Sequence, residues 1–102
     1  MTNVQHVNRW WFKDADDTQG AAELEEAMLA LKAIPGVLDV RFGPGIGYAA
    51  ESRDAGGFHY AVIVTFESPE SILLHDPHPL HQHAIAVSNR VSERTEHFNF
   101  EG

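Results

Sequence analysis

Cysteine is absent from this chain of 102 residues, which excludes disulfide bonds and thiolate chemistry. Basic residues are scarce as well, because 7 lysines and arginines stand against 15 aspartates and glutamates, for a formal net charge of -8. Such a surplus repels phosphate backbones and anionic lipid, so we expect neither nucleic acid nor a membrane surface as a partner. No long apolar run and no basic, apolar leader occur, and we therefore expect a cytoplasmic protein.

The length and the apolar content set the scale of the fold. With 43% hydrophobic residues, the chain can build one core but not two, and no internal repeat is visible. We therefore expect residues 1–102 to form a single domain.

The order of strand and helix patterns indicates the fold. Four segments have strand patterns, namely Val4 to Phe12, Val37 to Gly43, Phe58 to Phe66 and Thr95 to Phe100. Helical spacing predicts a helix that stops at Pro35-Gly36, a short helix from Pro69 to Leu74 and a longer one that begins at Pro79. This βαββαβ order is typical of a ferredoxin-like α+β subunit with one four-stranded antiparallel sheet. Since the helices can cover only one face of that sheet, we expect a homodimer in which two sheet faces pack into a barrel.

Four of the seven histidines fall in one stretch, His75-Asp76-Pro77-His78-Pro79-Leu80-His81-Gln82-His83. A proline disfavours helical angles in the residue before it, so Asp76 and His78 should be extended and a helix should begin at Pro79. His81 then lies in the first turn, where the partial positive charge of the helix N-terminus favours a neutral imidazole. Because a neutral imidazole accepts protons near neutral pH, His81 is a candidate general base.

His6 is the second candidate catalytic residue, because it lies on the side of the first strand that should face the helices and can share a cavity with His81. Six further residues are candidate substrate contacts, from strand alternation, from the long glycine-rich loop after Gly43 or from the histidine stretch: Asn8, Trp10, Tyr48, Tyr60, His75 and His78. The remaining histidines, His59, His83 and His97, are interpreted as solvent or sheet-face residues.

Metal binding is the alternative use of the histidine stretch, since His75, Asp76, His78 and His81 are chemically suitable ligands. The prolines interrupt the spacing that would align these side chains on one helix, and no H-x-x-x-H pair occurs on a helix. We therefore expect no resident metal and no other cofactor.

Four pieces of the chain resemble the stress-responsive A/B barrel (Dabb) family, in the family's order. They are His6-Val7 running on to Phe12-Lys13, Ile34-Pro35-Gly36-Val37, Tyr60 through Ser68, and His78-Pro79-Leu80-His81-Gln82. The His-Pro-x-His element is the most specific of the four. The resemblance spans nearly the whole chain and implies two ferredoxin-like subunits in a dimeric barrel, each with a pocket between its own sheet and helices.

The chain is also similar to the olivetolic acid cyclase-like members of this family, which close a polyketide chain by aldol chemistry without a cofactor. Their two functional histidines fall on His6 and His81, whereas the two tyrosines that assist them fall on Ala27 and His75. Loss of both phenols removes the hydrogen-bond donors that hold such a substrate, so the same cyclisation is not expected. A related proton-transfer reaction is expected instead.

The predicted function is therefore a small-molecule-binding barrel that performs cofactor-free acid-base chemistry on a small carbonyl compound through His81 and His6. The reaction would be of the cyclase, isomerase or lyase type. Two alternatives stay open. One is a non-catalytic stress-responsive or ligand-binding protein in which the histidines only shape the pocket. The other, by analogy of fold, is a cofactor-independent monooxygenase.

Overall fold

The computed structural model describes residues 2–46 and 57–102. Its strands are β1 (Val4–Phe12), β2 (Val37–Pro44), β3 (Tyr60–Phe66) and β4 (Ser92–Glu101), and its helices are α1 (Thr18–Ala30), α2 (Pro69–His75) and α3 (Pro79–Val91), with a 3-10 turn at Leu31–Ala33. Within the described ranges the strands form one antiparallel sheet in the order β2-β3-β1-β4. The predicted ferredoxin-like α+β fold is confirmed. None of the helices described is long and apolar enough to cross a membrane.

β1 is the strand on which the site is built, because it pairs with β3 on one side and with β4 on the other. His6 of β1 stands opposite Val64 of β3 and Asn99 of β4. Asn8, the next residue on the same face, stands opposite His97 of β4. Since residues opposite each other in an antiparallel pair share a face, the helix-facing side of the sheet is apolar along β3 and polar along β4.

The inward residues of the sheet pack against the helices to form the core. Trp10 at 0% exposure and Phe12 at 2% agree with the helix-facing side predicted for β1. The indole Nε1 of Trp10 donates a 2.8 Å hydrogen bond to Oγ of Ser88 on α3, which supplies the partner that a buried indole requires. The other large, fully buried side chains are Leu24, Leu31, Ile34, Val62, Val64 and Phe66.

The break between α2 and α3 shapes the histidine stretch. Pro79 opens α3, and His78, with φ -66° and ψ 139°, is its extended N-cap, as predicted. The prediction for Asp76 is wrong, because this residue keeps helical angles of φ -56° and ψ -46° as the C-cap of α2. Its backbone N–H donates to the carbonyl of Ile72 at 2.9 Å, and this helical bond holds the residue against the preference imposed by Pro77.

The link from α1 to β2 turns at Gly36, whose φ of +90° lies in the left-handed region. A Cβ atom at this position would lie 2.5 Å from Oγ of Ser71 on α2. The carbonyl of Gly36 also accepts a 2.8 Å hydrogen bond from the backbone N–H of Glu67. Glycine therefore allows the turn and α2 to approach closely.

The opposite, outer face of the sheet carries aromatic residues that the described helices leave uncovered. Trp11 of β1 is half-buried there, because the guanidinium groups of Arg9 and Arg94 lie 5.3 and 4.2 Å from the centroid of its ring. Phe98 and Phe100 of β4 are 55% and 49% exposed. The sheet is thus two-faced, and this outer face is available to a partner.

Strand β3 begins at Tyr60, two residues later than predicted, and Phe58 precedes it. The ring of Phe58 lies 5.6 Å from the guanidinium of Arg9, which belongs to the outer face. Simple alternation along Phe58 to Phe66 would place Phe58 beside Tyr60 on the inner face, but Phe58 does not lie there. Alternation holds only where the backbone is extended, and the chain bends before Tyr60.

Candidate active site

A cavity of about 380 Å³ lies between the helix-facing side of the sheet and the helices. Its polar lining consists of His6, Asn8, His75, Asp76, His81, Ser88, Asn89, Thr95, His97 and Asn99. Its apolar lining consists of Met28, Leu31, Val62, Val64, Phe66, Ile72, Ala84 and Ile85. Of the residues singled out from the sequence, the structure thus brings together His6, Asn8, His75 and His81.

His6 stands on β1 at the polar side of the cavity. Its Nδ1 lies 2.7 Å from Oδ1 of Asn99 on β4. An amide oxygen only accepts hydrogen bonds, so Nδ1 carries the proton and Nε2 keeps its lone pair. Burial lowers the pKa of His6 below 6.5; the hydrogen bond to Asn99 opposes this only in part, and nearby His97 lowers the pKa further. His6 is therefore a neutral imidazole at pH 7 with one acceptor nitrogen.

His81 is held by the backbone between the two helices. Its Nδ1 lies 2.9 Å from the carbonyl oxygen of Asp76, which also accepts a 2.9 Å hydrogen bond from Nε2 of Gln82. A carbonyl cannot donate, so Nδ1 of His81 carries the proton and Nε2 is again left as an acceptor. The sequence produces this contact locally, because Pro77 and Pro79 end one helix and start the next within three residues.

His75, the last residue of α2, is 5% exposed. Its ring meets Phe66 of β3 edge to face, with centroids 5.0 Å apart, and its centroid is 4.0 Å from that of His81. Nδ1 lies 3.4 Å from Oδ1 of Asp76, whereas Nε2 is buried without a hydrogen-bond partner among the described residues. Burial, followed by the proximity of His81, lowers the pKa of His75 to about 4, so this ring is neutral at pH 7.

The β4 side of the cavity adds hydrogen-bonding groups. Oγ1 of Thr95 donates to Oδ1 of Asn8 at 2.6 Å, so the amide Nδ2 of Asn8 remains as a donor. The ring of His97 lies 5.8 Å from the ring of His6. Together with the aliphatic side chains of β3, these groups can hold a small molecule with an apolar body and a polar oxygen.

Three of the predicted contacts lie elsewhere, and one cannot be placed. Trp10 and Tyr60 both pack on Phe42, with centroids 5.9 and 5.6 Å from it, and none of the three lines the cavity. Their predicted face is right, but they lie too far along the strands, at the end where the aromatic rings fill the space. His78 is also outside the lining, because its Nδ1 accepts the N-cap hydrogen bond from the backbone N–H of Leu80, in the first turn of α3, at 3.1 Å. Tyr48 lies outside the described residues.

Sequence reasoning misses the contribution of β4 to the site. His97, interpreted as a solvent or sheet-face residue, lines the cavity, and so do Thr95 and Asn99. Their alternation with Phe98 and Phe100 is the signal that they share a face. Which face that is, and which residues of β1 they meet, depends on the strand register, which a single sequence does not contain.

The histidine stretch also suggests a metal ion as an alternative ligand of the cavity. One ligand atom each of His75, Asp76 and His81 lie within 4.8 Å of one another, so the break between the helices gathers groups that the sequence spacing separates. Two imidazoles on one tetrahedral ion, with metal-nitrogen bonds of about 2 Å, place their ring centroids about 5 Å apart. The 4.0 Å separation of His75 and His81 is instead that of two rings in direct contact.

The fold and sequence can now be set beside those of known proteins. The model of the stress-responsive A/B barrel domain matches residues 4–101 of this chain. No curated protein sequence matches this chain. Among solved structures, a hydroxynitrile lyase from Passiflora edulis superposes with a TM-score of 0.83 at 20% identity, over 99% of this chain and 94% of that one.

Two further solved structures have the same fold. SnoaB, a cofactor-independent oxygenase from Streptomyces nogalater, superposes with a TM-score of 0.77 at 14% identity, over 100% of this chain and 94% of that one. A dimeric ferredoxin-like protein of unknown function from Thermobifida fusca superposes with a TM-score of 0.82 at 20% identity, over 99% and 92%. At such identities the likeness shows the fold alone. The family model covers all but the ends of the chain, and the protein therefore belongs to the stress-responsive A/B barrel domain family.

Proposed function

We propose that this chain is an acid-base enzyme that acts without a cofactor on a small, uncharged carbonyl compound, or on a compound that releases one. His81 is the general base, and His6 is the second histidine that presents an acceptor nitrogen to the substrate. One observation supports this above all. In both rings Nδ1 is bonded to a protein acceptor, which leaves two Nε2 lone pairs in residues that line a single cavity.

The proposed reaction begins with a single proton transfer to His81. A hydroxyl, or a C–H beside a carbonyl, gives its proton to Nε2 of His81, while the electron pair stays with the substrate. Negative charge then develops on the substrate oxygen, and Nδ2 of Asn8 is a donor at the same cavity that can stabilise it. The lowered pKa of His6 keeps that ring neutral and able to take part at pH 7.

The lining supports the choice of an uncharged ligand. A cavity of about 380 Å³ is at the small end of the range for ligand sites, roughly 300 to 1,000 Å³. None of its described lining residues is a lysine or an arginine, so a carboxylate or phosphate would find no permanent cation there. The Asp76 carboxylate would repel such a group as well.

The structural neighbours support a lyase reaction as the first to examine, since one of them is a hydroxynitrile lyase. Cleavage of a hydroxynitrile needs a base for the hydroxyl proton and an acid that returns a proton to the departing cyanide. His81 can fill both roles in turn, because the hydroxyl proton that its Nε2 takes up can return from the same nitrogen to the cyanide, while the neutral His6 accepts a hydrogen bond from the substrate or a water.

The test uses mandelonitrile, an uncharged aromatic hydroxynitrile, at a mildly acidic pH where its spontaneous cleavage is slow. Benzaldehyde release is followed by absorbance. We expect turnover above the buffer rate, and a loss of about a hundredfold or more in His81→Ala, the usual size of a general-base contribution. His83→Ala, an exposed histidine on the same helix, is the matched control and should keep full turnover. A His81→Ala protein with undiminished turnover would contradict the proposal.

Other outcomes of the same screen identify the alternative functions. Tight binding of benzaldehyde or related ketones without turnover, across a panel of hydroxynitriles, aldols and enolisable ketones, would assign the cavity to a non-catalytic ligand-binding protein. Oxygen uptake with a polyphenol would assign it to a cofactor-independent oxygenase, the activity that the name of SnoaB states.

We also infer that two copies of the chain pair through the outer faces of their sheets. Ile63, Phe98 and Phe100 are 40%, 55% and 49% exposed on this face, an apolar surface of the kind that partners cover. Several structural neighbours are described as dimeric, among them proteins from Thermobifida fusca, Bacteroides fragilis and Jannaschia.

A further inference from the structure

We propose that Ser88 and Asn8 form a two-donor subsite that receives the carbonyl oxygen of the ligand, at the end of the cavity far from His75 and His81. The ligand class that fits is an elongated, uncharged aryl ketone or aldehyde with a hydroxyl group on the opposite side of its ring. The inference deepens the proposed function and rests on its assignment of the cavity as a ligand site. It makes Ser88 a ligand-binding residue, a role that the sequence patterns do not indicate.

The first observation is a buried hydroxyl whose proton is not used. Ser88 is 8% exposed and lines the cavity from α3. Its Oγ accepts the 2.8 Å hydrogen bond from Nε1 of Trp10, and because an indole nitrogen only donates, this bond leaves the hydroxyl proton of Ser88 unpaired. No acceptor for that proton occurs in residues 2–46 and 57–102. A ligand oxygen in the cavity would supply the missing acceptor.

The second observation is that Asn8 presents another donor at the same end of the cavity. Oδ1 of Asn8 is occupied by Thr95, and its Nδ2 has no acceptor among the described residues. Asn8 and Trp10 lie two residues apart on the inner face of β1, and Trp10 is the residue that holds Ser88. The two donors therefore lie at the end of the cavity nearest Trp10.

The cavity extends along β3, whose inward residues Val62 and Phe66 both line it. Val62 stands opposite Asn8 in the strand register, whereas the ring of His75 packs edge to face on Phe66. Four residues of strand separate Val62 from Phe66, a distance of about 13 Å. The donor Asn8 and the buried His75 thus lie at opposite ends of one apolar wall.

Helix α3 gives the same direction to the cavity. His81, whose ring contacts His75, lies in its first turn, and Ser88 follows seven residues later, about 10 Å along the helix axis. Ala84 lies between them and also lines the cavity, where its small side chain leaves room for a flat ring. Strand and helix therefore agree on an elongated cavity, with the donor of Ser88 at one end and the acceptor nitrogen of His81 at the other.

The two ends require opposite chemistry in the ligand. Oγ of Ser88 and Nδ2 of Asn8 are uncharged donors, so they suit a carbonyl oxygen. Nε2 of His81 is an acceptor, so it suits a hydroxyl group. The aliphatic side chains between these ends suit an aromatic ring. A para-hydroxyaryl ketone such as para-hydroxyacetophenone combines the three features in the matching order.

The test compares para-hydroxyacetophenone with para-ethylphenol, which has the same ring and hydroxyl group but no carbonyl oxygen. Titration calorimetry gives the dissociation constants for wild type, for Ser88→Ala and for the control Ser71→Ala, whose buried hydroxyl shares a hydrogen bond with Ser68 outside the cavity. We expect Ser88→Ala to bind the ketone about fivefold more weakly, the usual effect of losing one neutral hydrogen bond. Binding of para-ethylphenol to Ser88→Ala, and of both ligands to Ser71→Ala, should stay within about twofold of wild type. Equal losses for the two ligands in Ser88→Ala, unchanged ketone binding, or a wild type that does not bind the ketone would overturn the proposal.

A second measurement reports on the carbonyl group itself. A hydrogen bond to a carbonyl oxygen lowers its stretching frequency, so infrared difference spectra of bound, isotope-labelled para-hydroxyacetophenone should show a lower frequency in wild type than in Ser88→Ala. Ser88→Cys, which keeps a weak donor, should give a frequency between the two. Identical frequencies in wild type and Ser88→Ala would overturn the proposal.

Neither measurement needs turnover, so the failure of this inference and the failure of the proposed function can be told apart. A frequency shift that depends on Ser88, in a protein that turns over none of the tested substrates, would mean that the proposed function fails while the subsite stands. Turnover that depends on His81, with ketone binding and carbonyl frequency unchanged in Ser88→Ala, would mean the reverse.

Discussion

At the residue scale, the chemistry of the cavity depends on what each histidine Nδ1 contacts. The amide oxygen of Asn99 holds that of His6, and a backbone carbonyl holds that of His81. Both partners are neutral, so neither stabilises an imidazolium as a carboxylate would. The rings are therefore set as bases with a defined tautomer, and the Asp76 carboxylate, within 4.8 Å of a ring nitrogen of both His75 and His81, is within hydrogen-bond distance of His75.

The buried His75 should make stability depend on pH. Its pKa is lowered to about 4 in the folded chain from about 6.5 when unfolded, so between these values the unfolded chain binds more protons. The penalty is absent above pH 6.5 and grows as the pH falls toward 4. We expect wild type to lose about 2 to 3 kcal/mol more free energy of unfolding than His75→Gln between pH 7 and pH 4.5. Urea titrations at one protein concentration measure this, and parallel losses in the two proteins would contradict it.

At the scale of elements, the break between α2 and α3 gives the histidines of this stretch different structural roles. The ring of His78 caps α3, while His75 and His81 line the cavity from either side of the break. A cap residue can be exchanged for another cap residue, whereas a catalytic one cannot.

Substitution of His78 should therefore affect stability and leave the cavity intact. We expect His78→Ala to cost about 1 kcal/mol of unfolding free energy, because the N–H of Leu80 loses its acceptor, and His78→Asn to cost little. Both should bind benzaldehyde as wild type does, as measured by titration calorimetry. Loss of benzaldehyde binding in a fully folded His78→Asn protein would show that His78 contacts the ligand after all.

The turn between α1 and β2 gives a test of the packing that positions α2. Gly36→Ala places a Cβ 2.5 Å from Ser71 at a φ of +90°, so we expect a loss of about 2 to 4 kcal/mol in unfolding free energy. Gly43→Ala is the matched control, because its Cβ would meet nothing within 4 Å and its backbone is that of a strand. Denaturant unfolding should leave Gly43→Ala within about 0.5 kcal/mol of wild type. Similar losses in both variants would show that the clash with Ser71 is not the cause.

At the scale of the whole molecule, the outer sheet face combines apolar and charged groups. Arg9 and Arg94 each bond Glu96, and these hydrogen bonds, Arg9 first, hold the pKa of that carboxyl below its usual range. These three charged groups are thus paired within the chain, beside apolar side chains that the described helices leave exposed.

A charge placed on this face should separate the dimer that we infer. Phe98→Glu puts a carboxylate on the outer face, so sedimentation velocity should show a shift from dimer to monomer. Leu73→Glu is the control, because this residue is 72% exposed on α2 and lies away from the sheet's outer face. Wild type that sediments as a monomer, or Phe98→Glu that stays dimeric, would count against the sheet-to-sheet arrangement.

What the sequence by itself determined is local or periodic. Alternation along Val4 to Phe12 separated the two faces of the first strand, and the two prolines located the start of α3 at Pro79. The order of the elements then led to the fold, and the His-Pro-x-His element to the family. These features are readable because each depends on residues within one turn or one strand of each other.

Only the tertiary structure decided which side chains contact His6 and His81 in the cavity. The register of β4 against β1 sets Asn99 on His6 and brings His97 to the cavity, and the angle between two short helices brings His75 within 4.0 Å of His81. The same packing removes Trp10 and Tyr60 from the cavity by stacking them on Phe42. These contacts join segments far apart in the chain or turn on a helix angle, so pattern and spacing do not specify them.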